Sequence, residues 1–362
     1  MMQTTVETTD RCGGEVTTRG RKAKVTWQRW SGGGNPQGAT PRGFRHLCLW
    51  EPPTEVPMLV SLMLVVAIDS ATIRNLVVAP AETLHTTLVG EGPPVVVVPG
   101  LLGSAYAYRK VIPQLNAAGL SVIVIEPIGV GFSSRPSKSD YSLTAQSQRV
   151  GAVLDSLGVR CAPVLAHSAG ASIALRLAAH RPDLVCGVVA ENGGGMDTVA
   201  TTSVRKAASF AWLIKLFGGR GRIRSEIRKG MLNTAGDSSW ITPEVIDHYT
   251  AGGAGDLGAT LRAIKGMARA RDSERMAELL PRIKVPVHLL IGGAKRGSGV
   301  TLPQFQVLTA GLPQLVVDTV AGSGLRIHEE QPDVVVKAVV ELVRELSTHR
   351  AAPSAPARSL RR

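Results

Sequence analysis

Runs of β-branched residues recur through this chain, each too short for a helix and each followed by a segment with helical spacing. They are PPVVVVPG at 93–100, SVIVIEP at 121–127, CAPVLAHS at 161–168, LVCGVVAE at 184–191, VPVHLLIGG at 285–293 and QLVVDTV at 314–320. PPVVVVPG is a continuous β-branched run of the kind buried on both faces of a sheet, and SVIVIEP reads as another buried strand. The pattern predicts an α/β fold with a mostly parallel sheet and helices on both faces. TIRNLVV and TLHTTLV, from residue 72, read as an early hairpin. Helices are expected near 105–117, 143–157 and 331–347, and ASIALRLAAHRP reads as another, ended by Pro182. Residues 195–280 break the alternation: they carry Trp212, Leu213, Phe217, Trp240 and Tyr249 on helical stretches without a strong strand, as expected of a helical insertion after the sixth strand.

With 44% hydrophobic and 19% charged residues, the chain has ample material for a large core. The formal charge of +13 invites a nucleic-acid reading, so its placement matters. Residues 1–57 carry a net +3, residues 350–362 a net +4, and residues 205–229 a net +7, which leaves the body near neutral. No RNA-binding signature with interleaved aromatics accompanies this basicity, and a nucleic-acid partner is not expected. The basic residues of 205–229 flank SFAWLIKLF; peripheral contact with an anionic membrane is one reading of them, a solvated charged face the other. Cys12, Cys48, Cys161 and Cys186 lie far apart without metal-ligand spacing; they neither demand a disulfide nor exclude one, and no metal site is expected.

The ends are read separately. Residues 1–57 show no sustained periodicity, and SGGGNPQGATPRG looks like flexible linker, so the segment is expected to be disordered or upstream read-through. Residues 58–71 begin with the apolar MLVSLMLVVAI, too short to span a bilayer comfortably. Three readings of it stay open: a signal-like or anchoring segment with Val65-Val66-Ala67 as a cleavage pattern, a true start at Met58, or an apolar stretch packed on the domain. Export or membrane association follows if 58–68 acts as a signal or anchor, a cytoplasmic location otherwise. Residues 72–348 form the expected domain, with residues 195–280 as its insertion, and 349–362 a basic disordered tail.

Ala166-His167-Ser168-Ala169-Gly170 carries the chemistry. A serine nucleophile on a strand-to-helix turn needs small neighbours two positions away, because the strained backbone brings them against the adjacent strands. Ala166 and Gly170 meet that need, a β-branched strand precedes Ser168 and an Ala/Leu helix follows it. The helix N-terminus aims the Ala169 N–H at the reacting centre. The turn Pro99-Gly100-Leu101-Leu102-Gly103, directly after the valine run, offers the Leu101 N–H as a second donor for an oxyanion. Gly129-Val130-Gly131-Phe132-Ser133 lacks the lysine and spacing of a phosphate loop and is read as a loop only.

The succession VVVVPGLLGS, IEPIGVGFSSRP, AHSAG and HEEQPDVVVKAVVELV resembles the α/β-hydrolase family of esterases, lipases and haloperoxidase-like enzymes over about residues 72–348. That resemblance implies an eight-stranded sheet, a helical cap, and a Ser/acid/His triad in that chain order. It further implies acyl transfer from a small-molecule ester without a cofactor. Ser168 matches the nucleophile, whereas a dehalogenase of this fold would carry Asp there. Two positions depart from the pattern. Aligned on HEEQP, the base position holds Leu325, and His328 matches a second histidine that is not the base. The acid often follows the seventh strand, but GGAKRGSG at 292–299 has no carboxylate; Glu191, at the end of the sixth, is the alternative acid or a surface-facing strand end. The expected activity is a weak serine hydrolase, with a catalytically inactive ligand-binding protein as the alternative. Trp212, Phe217 and Trp240 are candidates to line an apolar substrate site, or to pack within the cap.

Overall fold

The computed structural model describes residues 6–8, 13–18, 21–26, 71–209, 220–294 and 299–351. Near the N-terminus, where the sequence shows no sustained periodicity, Val6–Thr8, Gly13–Thr18 and Arg21–Thr26 form a separate three-stranded antiparallel sheet. These strands have only three to six residues each, too few for a repeating pattern to register. The 58–68 stretch lies outside the described residues.

The main body is an eight-stranded sheet: β1 (Thr72–Ala79), β2 (Glu82–Val89), β3 (Pro94–Val98), β4 (Ser121–Ile125), β5 (Ala162–His167), β6 (Val185–Glu191), β7 (Val287–Gly292) and β8 (Leu315–Val320), in spatial order 1-2-4-3-5-6-7-8. The β1–β2 hairpin and the β2–β4 pair are antiparallel; every other pair is parallel. The valine run shows why the central strand sequences lack alternation. Val96 and Val98 enter one core with Ile123, Ile125, Val164 and Val188, while Val95 and Val97 enter another with Val122, Val124, Leu165 and Val189. Successive side chains point to opposite faces, and both faces are dry.

The helices are α1 (Ile112–Ala117), α2 (Leu143–Ser156), α3 (Ala169–His180), α4 (Thr202–Ser209), α5 (Arg220–Thr234), α6 (Pro243–Ala254), α7 (Leu257–Arg269), α8 (Met276–Leu279), α9 (Leu302–Gly311), α10 (Ile327–Glu330) and α11 (Pro332–Ala351). Ser142, Thr242 and Asp256 each cap a helix by accepting a backbone N–H three residues on, as their types favour. Helices α4 to α8 lie between the sixth and seventh strands, where the interrupted alternation placed an insertion. A Cys161–Cys186 disulfide joins the starts of β5 and β6. No described helix is long and apolar enough to cross a membrane.

Strand register gathers the conspicuous residues at one edge of the sheet. Val98 pairs with Ala166 across β3 and β5, and His167 pairs with Glu191 across β5 and β6. The carboxyl ends of three parallel strands therefore meet at Ser168, the place where open α/β sheets hold their ligands.

Candidate active site

Ser168 stands between β5 and α3 at φ 53°, ψ −118°. Positive φ is uncommon for a side chain other than glycine, and such strain persists only where surrounding contacts impose it. Here the Ser168 N–H donates to the Glu191 carbonyl (2.9 Å) and the Ala171 N–H to the Ser168 carbonyl (3.1 Å). Gly170 is required by close approach: a Cβ there would sit 2.2 Å from the Val98 carbonyl oxygen. The Ser168 side chain is half-buried, and among the described residues its hydroxyl makes no hydrogen bond.

Ala169 is buried at the first turn of α3. Leu101 lies on the turn after β3, which is closed by the Gly103 N–H donating to the Gly100 carbonyl (2.8 Å). Leu101 and Ala169 border one apolar hollow, with Pro127, Val130, Ile173 and Met267 among its other walls. It is a cavity of about 10 Å³, room for roughly one water molecule.

Glu191 is fully buried at the end of β6, so it is not a surface-facing strand end. His328, on α10, presents Nδ1 to both its carboxylate oxygens at 2.7 and 2.8 Å and adds its backbone N–H at 3.2 Å. Burial alone would push the Glu191 carboxyl up, but His328 and His167 together hold it below its ordinary value. The His328 ring stacks on Tyr108 (centroids 4.7 Å apart) and meets His167 edge-on (5.0 Å). An acid–histidine pair is thus present, with the histidine three residues after Leu325.

The backbone at that place is tightly held. The Leu325 carbonyl accepts from His167 Nε2 and from Asn192 Nδ2, each at 3.0 Å, and the Leu325 N–H donates to the Thr234 carbonyl (2.8 Å). A carbonyl only accepts, so His167 carries its proton on Nε2. Burial drives the His167 imidazole down to about 4, opposed by Glu191 and reinforced by His328 and Arg326, so the ring is neutral at physiological pH. Asn192 continues the tie through Oδ1 to the Gly292 N–H (3.0 Å) and through Nδ2 to the Gly324 carbonyl (3.0 Å). In the sequence Asn192 did not stand out, and His167 read only as the variable position of the serine motif. The signal was the β5–β6 register, which only the paired strands reveal.

The candidate lining residues fare differently. Trp212 and Phe217 lie outside the described residues. Trp240 is buried but does not border the hollow beside Ala169; it packs against Tyr249 (centroids 6.2 Å apart) in a core shared with Met231, Ile241 and Ile246. It lies just before α6, and its ring is used to seat that helix on the body. From the insertion, Val199 and Met267 are the residues that reach the hollow. After β7, Gly293 and Ala294 bring no carboxylate, and 295–298 lie outside the described residues. Among the described residues, no group of three or more His, Cys, Asp or Glu is placed to hold a metal ion.

Comparison with known proteins agrees with this fold. A family model described as alpha/beta hydrolase fold matches residues 93–230. An uncharacterized hydrolase, YugF, of Bacillus subtilis (strain 168) is 26% identical over 249 residues, covering 69% of this chain and 89% of that protein. The magnesium-chelatase 30 kDa subunit of Rhodobacter capsulatus is 30% identical over 220 residues, 57% of this chain and 72% of that one. Among solved structures, the epoxide hydrolase CorEH without ligand superposes with a TM-score of 0.64 at 20% identity, covering 76% of this chain and all of that one. With the sheet order, the strained serine turn and these relatives together, the chain belongs to the alpha/beta-hydrolase fold family.

Proposed function

We propose that this protein is a serine hydrolase acting on a carboxylic ester or related acyl substrate, and that its turnover is slow because Leu325 occupies the base position. The observation that carries the reading is Ser168: a strained, half-buried serine at a strand-to-helix turn, its hydroxyl uncommitted among the described residues. The hydroxyl attacks the acyl carbonyl, and the Leu101 and Ala169 N–H groups receive the charge that develops on the carbonyl oxygen. Glu191 orients a histidine, but that histidine is His328, and the acid is spent on it. Without a positioned base the serine proton leaves to water, and the first step is slow. A substrate must also displace Met267 and its neighbours, because the hollow beside the donors holds only a water. An ethoxy-fluorophosphonate probe tests the reading: labelling of the native chain that disappears in Ser168→Ala supports it, and no labelling over hours at millimolar probe refutes it.

A second reading, an inactive ligand-binding protein, is favoured by Leu325 and by the closed hollow. The Rhodobacter capsulatus relative is named as a magnesium-chelatase subunit and not as a hydrolase. Peripheral contact with an anionic membrane is part of the proposal as well. Lys206, Arg222, Arg228 and Lys229 are exposed on α4 and α5, and among the described residues of that stretch the ion pairs are Lys229–Glu226 and Arg224–Asp247.

A further inference from the structure

We propose that Glu126 is the positioning residue of the oxyanion loop, its carboxylate tying the end of that loop to the loop after β4. This rests on the hydrolase reading above. Glu126 directly follows β4 and is 1% exposed. Its Oε1 accepts the Ala105 N–H (3.0 Å) and its Oε2 the Phe132 N–H (2.6 Å). Ala105 opens the short 3-10 turn Ala105–Tyr108 at the end of the Pro99–Ser104 segment that carries Leu101, and Tyr108 of the same turn stacks on His328. One carboxylate therefore fixes both the loop bearing a donor N–H and the turn that backs the acid–histidine pair. The second loop is shaped around it. Gly131 has φ 51°, and a Cβ there would sit 2.0 Å from Glu126 Oε2, while Ser133 Oγ donates to the Glu126 carbonyl (2.5 Å).

The energetics separate positioning from mere packing. Facing Glu126 is Arg135, whose guanidinium is directed to the Gly131 and Ser133 carbonyls, with Tyr141 and Asp256 beyond it and His85 on β2 beside Phe132. Burial outweighs the two N–H donors and Arg135 and pushes the Glu126 carboxyl up to about 7. Above that pH the carboxylate is held charged at a net cost to the fold, while its side-chain hydrogen bonds go to the amides of these two loops. A group that costs stability and orders a reactive site is the expected signature of a stability–function trade.

Glu126→Ala and Glu126→Gln, in the full chain at pH 8, test this through the fluorophosphonate reaction and amide exchange. In Glu126→Ala the saturating rate constant for Ser168 labelling falls about tenfold, the scale of a lost charge-assisted hydrogen bond. The half-saturating probe concentration stays within about twofold, because probe binding does not need the oxyanion donors aligned. Exchange over residues 101–105 accelerates. Glu126→Gln keeps one acceptor oxygen and falls between, with a melting temperature at or above native. Unchanged labelling and exchange in Glu126→Ala overturn the proposal, as does a lower rate constant accompanied by a raised half-saturating concentration and a lowered melting temperature. If the native chain is never labelled, the hydrolase reading fails, and exchange over 101–105 still decides the loop: faster in Glu126→Ala supports Glu126, unchanged overturns it.

Discussion

Leu325→His is the perturbation with the largest expected gain, and the structure sets its size. In a serine triad, loss of the base costs on the order of 10⁶ in turnover, while loss of the acid alone costs on the order of 10⁴. Leu325 is half-buried, of similar bulk to histidine, and its backbone is fixed by Thr234, His167 and Asn192, so the substitution needs no loop rearrangement. The new imidazole meets an acid already engaged: His328 takes both Glu191 oxygens. It therefore works as a base without an acid partner, and p-nitrophenyl butyrate hydrolysis should rise about 10²-fold over native rather than 10⁶-fold. Leu325→His with His328→Phe releases the carboxylate while keeping a ring over Tyr108, and should add a further factor of about 10 to 10³. Both gains must vanish when Ser168→Ala is added. A folded Leu325→His variant with less than about twofold gain would refute the assignment of position 325. Native activity already high and abolished by His328→Gln would show that His328 is the base.

Two pH trends oppose each other inside this fold. The Glu126 carboxyl is raised from 4.5 to about 7, so its contribution is whole below pH 4.5 and lost as pH rises through 7, about 3 kcal/mol in all. The His167 imidazole is depressed from 6.5 to about 4, so its contribution is whole above pH 6.5 and lost as pH falls through 4, again about 3 kcal/mol. Urea unfolding from pH 4 to 8 should show Glu126→Gln gaining on native as pH rises and His167→Gln gaining on native as pH falls; parallel curves would refute both shifts. For the membrane contact, co-sedimentation with vesicles containing phosphatidylglycerol should exceed that with phosphatidylcholine alone and drop when Lys206, Arg222, Arg228 and Lys229 are changed to Glu. Binding independent of anionic lipid removes that part of the proposal.

What the sequence disclosed and what it hid divide along a physical line. Strands buried on both faces announce themselves, because a parallel sheet leaves no room for polar residues; hence the run at 95–98, the order of elements and the insertion after β6 were all readable. The turn at Ser168 was readable too, since close approach to Val98 demands glycine at 170, and that demand is written in residue type. Polar partnerships across the sheet are not written that way. Nothing in a linear reading pairs His328 with Glu191 over 137 positions, or sends His167 to the Leu325 carbonyl over 158. These contacts depend on strand register, which sequence pattern constrains only through which face is apolar. Glu126 shows the same limit from the other side. A carboxylate next to a buried strand looks like a strand end in contact with water, yet it is 1% exposed and bonded to two loop amides. Trp240, a candidate to line a substrate site, is apolar enough for that role, and the same property lets α6 bury it first. Apolar character reports that a residue will be covered; whether protein or substrate covers it is decided by the packing.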